Sequence, residues 1–243
     1  MAPGQTRTYR FWADTEKIGG AIVSDFGGDD AGTIGSYGAV VVSPAGSTFT
    51  NPVTGAAVSV GAQVDVHVPG QTGHRDATVM FADDDPQIGA SFMPYPLQVN
   101  GPAVINYQSA PRPDTATGFS STGNGDPPTP ILRAYVGDPV RVHAMVQPGS
   151  EQLHSFTLGG LTWPIEPLIP NSQLLTTRGL GPMESLDAFI TGGAGGRGGT
   201  VGDLAYGDLR RPFTEAGIWG LQRVLSDASC PIRPLDGRTC LGG

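Results

Sequence analysis

Short apolar runs broken by glycine and proline cover most of the chain, and within many of them apolar and polar residues alternate at a period of two. The clearest case lies between Pro130 and Pro164. Residues 131–136 are apolar, β-branched and aromatic; Gly137-Asp138-Pro139 is a turn signal; and residues 140–146 alternate. Pro148-Gly149-Ser150 marks a second turn before the apolar run 153–158, and Trp163 supplies the bulk that a sandwich core needs. This pattern predicts two strands joined by a tight turn, a third strand after them, and a local antiparallel sheet. The same reading predicts strands at 6–12, 21–23, 36–42, 62–68, 76–82, 174–177, 184–190, 204–206 and 217–225, with a boundary in the glycine-rich link 69–73 and a turn at Asp83-Asp84-Asp85-Pro86.

Composition sharpens that picture. The chain has 243 residues with 37 glycines and 22 prolines but no period, which, with evenly spaced apolar runs, points to an all-β sandwich and not to disorder or a mainly helical fold. A net charge of −8, a single lysine (Lys17) and scattered arginines argue against nucleic acid or an anionic membrane surface, since phosphate binding needs clustered positive charge. No run approaches the roughly 18 apolar residues of a membrane span. Residues 1–7 have no apolar signal-peptide core, so an export leader, if there is one, is removed or lies outside the sequence. Cys230 and Cys240 close a short Pro- and Gly-containing segment, which suits a disulfide in an oxidising compartment; two reduced thiols are the alternative.

Candidate chemistry is sparse. Residues 191–200 (TGGAGGRGGT) lack the helix and the lysine of a phosphate-binding loop, and no GxSxG or HExxH pattern occurs. Asp29/Asp30 and Asp203/Asp208 read as turn-forming acids, Asp83–Asp85 as a solvated turn, and His67 and His74 as solvated residues flanking the link. His143 and His154 are the metal candidates: both sit on strands expected to neighbour each other, where two imidazoles can share an ion. The alternative places His143 at the end of a surface strand and His154 under Trp163, hydrogen-bonded to backbone; it is preferred because a useful transition-metal site wants three protein ligands.

Three stretches carry a family resemblance. GDPVRVH with EQLHSF, Gly160 and Trp163-Pro164 resembles the central strands of a cupredoxin domain of the multicopper oxidases. PGQTRTYRFW, GGAIVSDF and GSYGAVVVSP are similar to the second half of such a domain, and GDLAYGDLRRPFTEAGIWGLQRVL resembles the final hairpin of the large, bacterial, manganese-oxidase-like members. The resemblance implies cupredoxin-like Greek-key β-sandwiches: the C-terminal half of one domain (1–68), a complete domain (74–227) and a tail (228–243). It also implies copper in the wider family, but the ligands are replaced here. Where an HxxHxH cluster is expected stand His154, Thr157 and Gly159; an HxH pair is replaced by Ser24-Asp25-Phe26, and the strand expected to carry the copper thiolate reads Leu221-Gln222-Arg223.

The expected function is therefore a copper-free portion or subunit of an oxidase that oxidises a metal ion or a phenol and reduces dioxygen, its coppers held by parts outside this chain. The alternative is a non-enzymatic extracellular scaffold or binding module. The partner expected is the missing half-domain, from the same longer polypeptide, a second chain or a homo-oligomer, in a secreted or cell-envelope setting.

Overall fold

The structure is a computed structural model, and it describes residues 4–14, 18–25, 35–83, 103–108, 125–150, 152–226 and 230–235. The turn expected at 84–86, the acids Asp29 and Asp30, and Cys240 lie outside them.

Two sheets form the body. The first holds six strands: β3 (Thr48–Thr50), β4 (Gln63–His67), β5 (His74–Asp83), β6 (Ala103–Ile105), β8 (Val140–Val146) and β13 (Ser185–Phe189), in the order β13-β8-β5-β4-β3 with β6 also paired to β5. The second holds five: β7 (Ile131–Tyr135), β9 (His154–Leu158), β12 (Thr177–Leu180), β14 (Gly202–Asp208) and β15 (Trp219–Leu225), in the order β12-β9-β14-β15-β7. Strand alternation decides which side chains meet between them. Ala77, Val79 and Phe81 of β5 and Val142, Ala144 and Val146 of β8 face Leu132, Ala134, Phe156, Leu158 and Val224 across the core, and Trp163 is fully enclosed among them.

The expected hairpin of 131–146 is not one. β7 pairs in parallel with β15 in one sheet, while β8 pairs in parallel with β5 in the other. The chain crosses the sandwich at Gly137-Asp138-Pro139, and buried polar contacts hold that corner. Asp138 Oδ2 accepts from the Tyr135 amide at 2.9 Å and from Arg75 Nε at 2.6 Å. Arg75, 1% exposed, also donates to Asp65 Oδ1 at 2.6 Å and to the Arg233 carbonyl at 2.8 Å, so one guanidinium ties β4, β5, the corner and the tail. Tyr135 Oη donates to the Ile232 carbonyl at 2.7 Å beside it. Cys230, at the start of this docked tail, is disulfide-bonded.

The glycine run packs against the same corner. Gly193 has φ 72°, and a Cβ there would lie 2.5 Å from the Asp138 carbonyl oxygen. The amides of Gly193, Ala194, Gly196, Gly199 and Thr200 all donate to backbone carbonyls, so they are not free to cradle a phosphate.

The first sheet continues through the boundary expected at 69–73. Val66 pairs with His74, and β4 and β5 form a hairpin around that link. Residues 4–14 contain no strand although they alternate: Tyr9, Phe11 and Trp12 are exposed, Trp12 at 91%. Alternation gives a pleated face, but no described strand lies beside this segment to complete a ladder. β1 (Gly19–Ser24) and β2 (Tyr37–Val42) form a separate antiparallel hairpin, and β10 (Trp163–Pro164) and β11 (Leu174–Leu175) form a second small antiparallel pair. The described helix α1 (Arg211–Ala216) starts at a Pro in its first turn and buries Phe213 and Ala216. No helix among the described residues is long and apolar enough to cross a membrane.

Candidate functional site

His143 and His154 lie on different sheets and different faces. Val142 and Ala144 point into the core, so His143 between them points to the outer face of the six-stranded sheet. Phe156 and Leu158 point into the core and His154 shares their parity, so it lies between the sheets. The expectation that the two strands neighbour each other is corrected: β8 pairs with β5 and β13, and β9 with β12 and β14. The two imidazoles cannot share one ion, and each sits in its own cluster of aspartates.

The outer cluster is built by β5, β8 and β13. His143 Nδ1 lies 2.6 Å from Asp187 Oδ1, and its Nε2 lies 3.5 Å from Asp76 Oδ1; His74 Nε2 lies 3.2 Å from the same Asp76 oxygen. His74, Asp76 and His143 are all buried. Burial alone pushes the His143 imidazole down, but the bonded Asp187 carboxylate and the nearby Asp76 carboxylate outweigh that and raise it to about 9. Burial likewise pushes the Asp76 carboxyl up, and the two imidazoles outweigh it and hold it at about 2. The cluster is thus an imidazolium set between two carboxylates at neutral pH.

The β1–β2 hairpin covers this cluster. Gly20 donates its amide to Asp187 Oδ1 at 2.9 Å, and a Cβ on Gly20 would lie 2.3 Å from Met145 Cε and 3.0 Å from His143 Cβ. Only glycine permits that approach. Gly20 is opposite Val41 and Ile22 opposite Ala39, so these four face the sheet, while Val23 and Val40 face outward at 46% and 50% exposure.

The inner cluster is fully enclosed. His154 Nδ1 lies 2.7 Å from Asp208 Oδ2; its Nε2 lies 3.2 Å from Ser150 Oγ and 3.7 Å from Asp83 Oδ1. Phe81 and Phe213 pack edge-on against the ring. Asp208 Oδ1 also accepts from the Ser155 and Arg210 amides, and so it joins β9 to β14. Burial pushes the imidazole down, but Asp208 and Asp83 outweigh it and raise its pKa. Ser150, His154 and Asp208 have the order of a hydrolytic triad, yet a wholly buried ring meets no substrate. His154 is therefore neither beneath Trp163 nor bonded to backbone: Trp163 packs on Phe156 instead.

The remaining expected positions fit copper poorly. Thr157 Oγ1 donates to the Thr176 carbonyl at 3.2 Å. Gly159 has φ 50°, and a Cβ there would lie 2.7 Å from Leu204 Cβ, which leaves no room for an imidazole. Gln222 faces the core with both amide atoms buried and without hydrogen bonds. Among the described residues no group of three or more His, Cys, Asp or Glu side chains is arranged to hold a metal ion. Among the other histidines, His67 bonds Thr50 Oγ1 at 2.9 Å, and His74 begins β5 instead of flanking a solvated link.

Sequence reading missed Asp76, Asp187, Asp83 and Asp208 as partners. Their signal was present as carboxylates inside strands of otherwise apolar or alternating residues, where an unpaired charge is costly and a cation is needed nearby.

No protein-family model matches the sequence, and no curated protein does. Solved structures do match in fold. A multicopper oxidase aligns with TM-score 0.55 and 14% identity over 93% of this chain and 62% of its own. Copper nitrite reductase from Nitrosomonas europaea aligns with TM-score 0.58 and 16% identity over 99% of this chain and 72% of its own. Blue Copper Oxidase from Nitrosomonas europaea aligns with TM-score 0.56 and 18% identity over 91% and 60%. The chain is all-β and cupredoxin-like, of the multicopper-oxidase kind of fold, and it spans about three fifths of the length of the two oxidases.

Proposed function

We propose that this chain is a copper-free structural portion or subunit of a multicopper oxidase, with the catalytic coppers held by parts outside it. The observation that carries this reading is the state of the ligand positions. Gly159 has its side-chain space filled by Leu204, Thr157 is bonded to backbone, and His154 is locked between Asp208, Ser150 and Asp83. The two candidate histidines are set against carboxylates on other strands, and those contacts hold the strands together. Partner strands, from the same longer polypeptide or a second chain, cover the outward face of the β1–β2 hairpin and the exposed Tyr9, Phe11 and Trp12. The disulfide at Cys230 favours a secreted or cell-envelope setting.

The test is elemental analysis for copper and manganese after reconstitution with copper, with visible and paramagnetic resonance spectra alongside. Metal no higher than trace is the expected result. Stoichiometric copper that is lost in His154→Ala or His143→Ala overturns the reading. The free-standing scaffold, which the enclosed ion pairs also suit, is separated by light scattering on the eluting protein. A stable monomer that binds no apolar dye favours it, and self-association or dye binding favours the missing partner.

A further inference from the structure

The β1–β2 hairpin covers only part of the outer face of the six-stranded sheet. β1 packs over β8 and β13, with β2 beside it, and next to β2 the face is open. A groove of about 600 Å³ lies there between hairpin and sheet, floored by Phe49, Val64 and Met80 and walled by Val60. Residues 39, 40 and 41 all line it. Consecutive side chains of a strand point to opposite faces, so the groove meets the edge of β2 and not one face of it. No described strand pairs with that edge, since β1 and β2 form a two-stranded sheet by themselves. An open edge beside an apolar floor is what an added strand pairs with.

The chain carries a segment of the matching kind. Residues 6–12 (TRTYRFW) alternate, so that Tyr9 and Phe11 share one face of a pleat, yet they belong to no strand. Both rings are exposed, at 66% and 85%, so the chain does not fill its own groove with them. Area decides between one-way docking and reciprocal exchange. Docking the two rings withdraws on the order of 300 Å² of aromatic surface, and the groove loses a similar area. One such contact, about 600 Å², falls below what a specific complex needs; two, related by a twofold axis, reach about 1,200 Å², the lower end of stable interfaces.

We propose that two copies of this chain exchange residues 6–12 reciprocally, each segment pairing with the open edge of β2 on the other copy and placing Tyr9 and Phe11 against Phe49, Val64 and Met80. This rests on the reading that the chain lacks partner strands, and it names the partner as a second copy.

Light scattering on the eluting full chain, loaded from about 1 to about 100 μM, reads the mass, and a dimer is expected at the top of that range. Phe11→Ser is expected to raise the dissociation midpoint at least about tenfold. Val60→Asp, which sets a charge on the groove wall, does the same from the other side. Both residues are largely exposed, so neither substitution disturbs the core. Leu168→Ser, which removes an exposed apolar side chain from the loop after β10, leaves the midpoint unchanged. A monomer at every concentration overturns the proposal, as does a dimer that Phe11→Ser and Val60→Asp leave intact or that Leu168→Ser weakens equally. A monomer that binds apolar dye overturns the exchange alone and leaves the missing strands to a longer polypeptide or a different chain. Stoichiometric copper overturns the oxidase reading alone.

Discussion

Raising the pH from about 6 to about 10 removes the proton that His143 holds between Asp187 and Asp76, and the cost follows from linkage. In the unfolded chain this histidine titrates near its ordinary value of 6.5; in the fold it titrates at about 9. Below 6.5 both states are protonated and the stabilisation is complete. Between 6.5 and 9 the unfolded state has given up its proton and the folded state keeps it, so stability falls, by about 3 kcal/mol in total at ~1.36 kcal/mol per unit. Asp76 reports the same contact from the acid side. Its folded value of about 2 lies below the ordinary 3.8, so its contribution is complete above 3.8 and lost as pH falls through 2. The two describe one coupled set of charges and are not added.

Urea unfolding of the natural chain and of His143→Gln across this range isolates the effect. Gln keeps a polar side chain and cannot titrate. His154 is also raised, but its contribution is common to both proteins and cancels in the difference. The natural chain is expected to lose about 3 kcal/mol more than the variant between pH 6.5 and 9. Parallel profiles, within about 0.5 kcal/mol, refute the reading that His143 is an imidazolium clamp.

Four substitutions test other parts of the fold. Arg75→Met takes the guanidinium away from the buried acids Asp65 and Asp138 and is expected to cost about 3–5 kcal/mol in denaturant unfolding, with earlier proteolysis of the 230–235 tail. His154→Leu leaves Asp208 and Asp83 without their cation; a loss of about 3–5 kcal/mol is expected, and a neutral result in a thermal scan speaks against the inner ion pair. Gly193→Ala puts a Cβ onto the Asp138 carbonyl at a left-handed φ and is expected to lower stability by at least about 1–2 kcal/mol, measured by urea midpoint. Gln222→Leu removes two buried, unbonded amide atoms from the core face of β15 and is expected to raise the melting temperature, through a gain of about 1 kcal/mol; a fall in melting temperature contradicts the assignment of that amide as unpaired.

Strand existence was legible because alternation is a local property. The runs at 36–42, 62–68, 76–82, 140–146, 153–158, 184–190 and 217–225 all contain strands, shifted by a residue or two at their ends. Sheet membership was not legible, because it depends on what lies across the core. Gly137-Asp138-Pro139 reads as a hairpin turn when only its neighbours are considered. Its real partners, Arg75 and Ala194, are about sixty residues away on either side, and they turn the same tripeptide into a corner between sheets. The helix at 211–216 was missed for a related reason. It is a single short element started by Pro212, and burial of Phe213 and Ala216 stabilises it more than any amphipathic period does.

That one error of topology propagated to the site. If β8 and β9 are neighbours, His143 and His154 are a pair of possible ligands. With the strands on opposite sheets, parity sends one imidazole outward and the other inward, and each must find its own counter-charge. The acids that supply it sit on β5, β13 and β14, and every one is a residue whose position in a strand makes little sense without a buried cation opposite. A histidine set against a carboxylate from another strand links those strands without metal, through charge and directional hydrogen bonding. The outer link also holds Gly20 and with it the hairpin, so His143→Gln should raise amide exchange at Gly20 while leaving exchange at Ser155, which is tied to Asp208 in the inner cluster, unchanged. Equal acceleration at both amides would mean that the two clusters open together and that the outer one is no separate clamp.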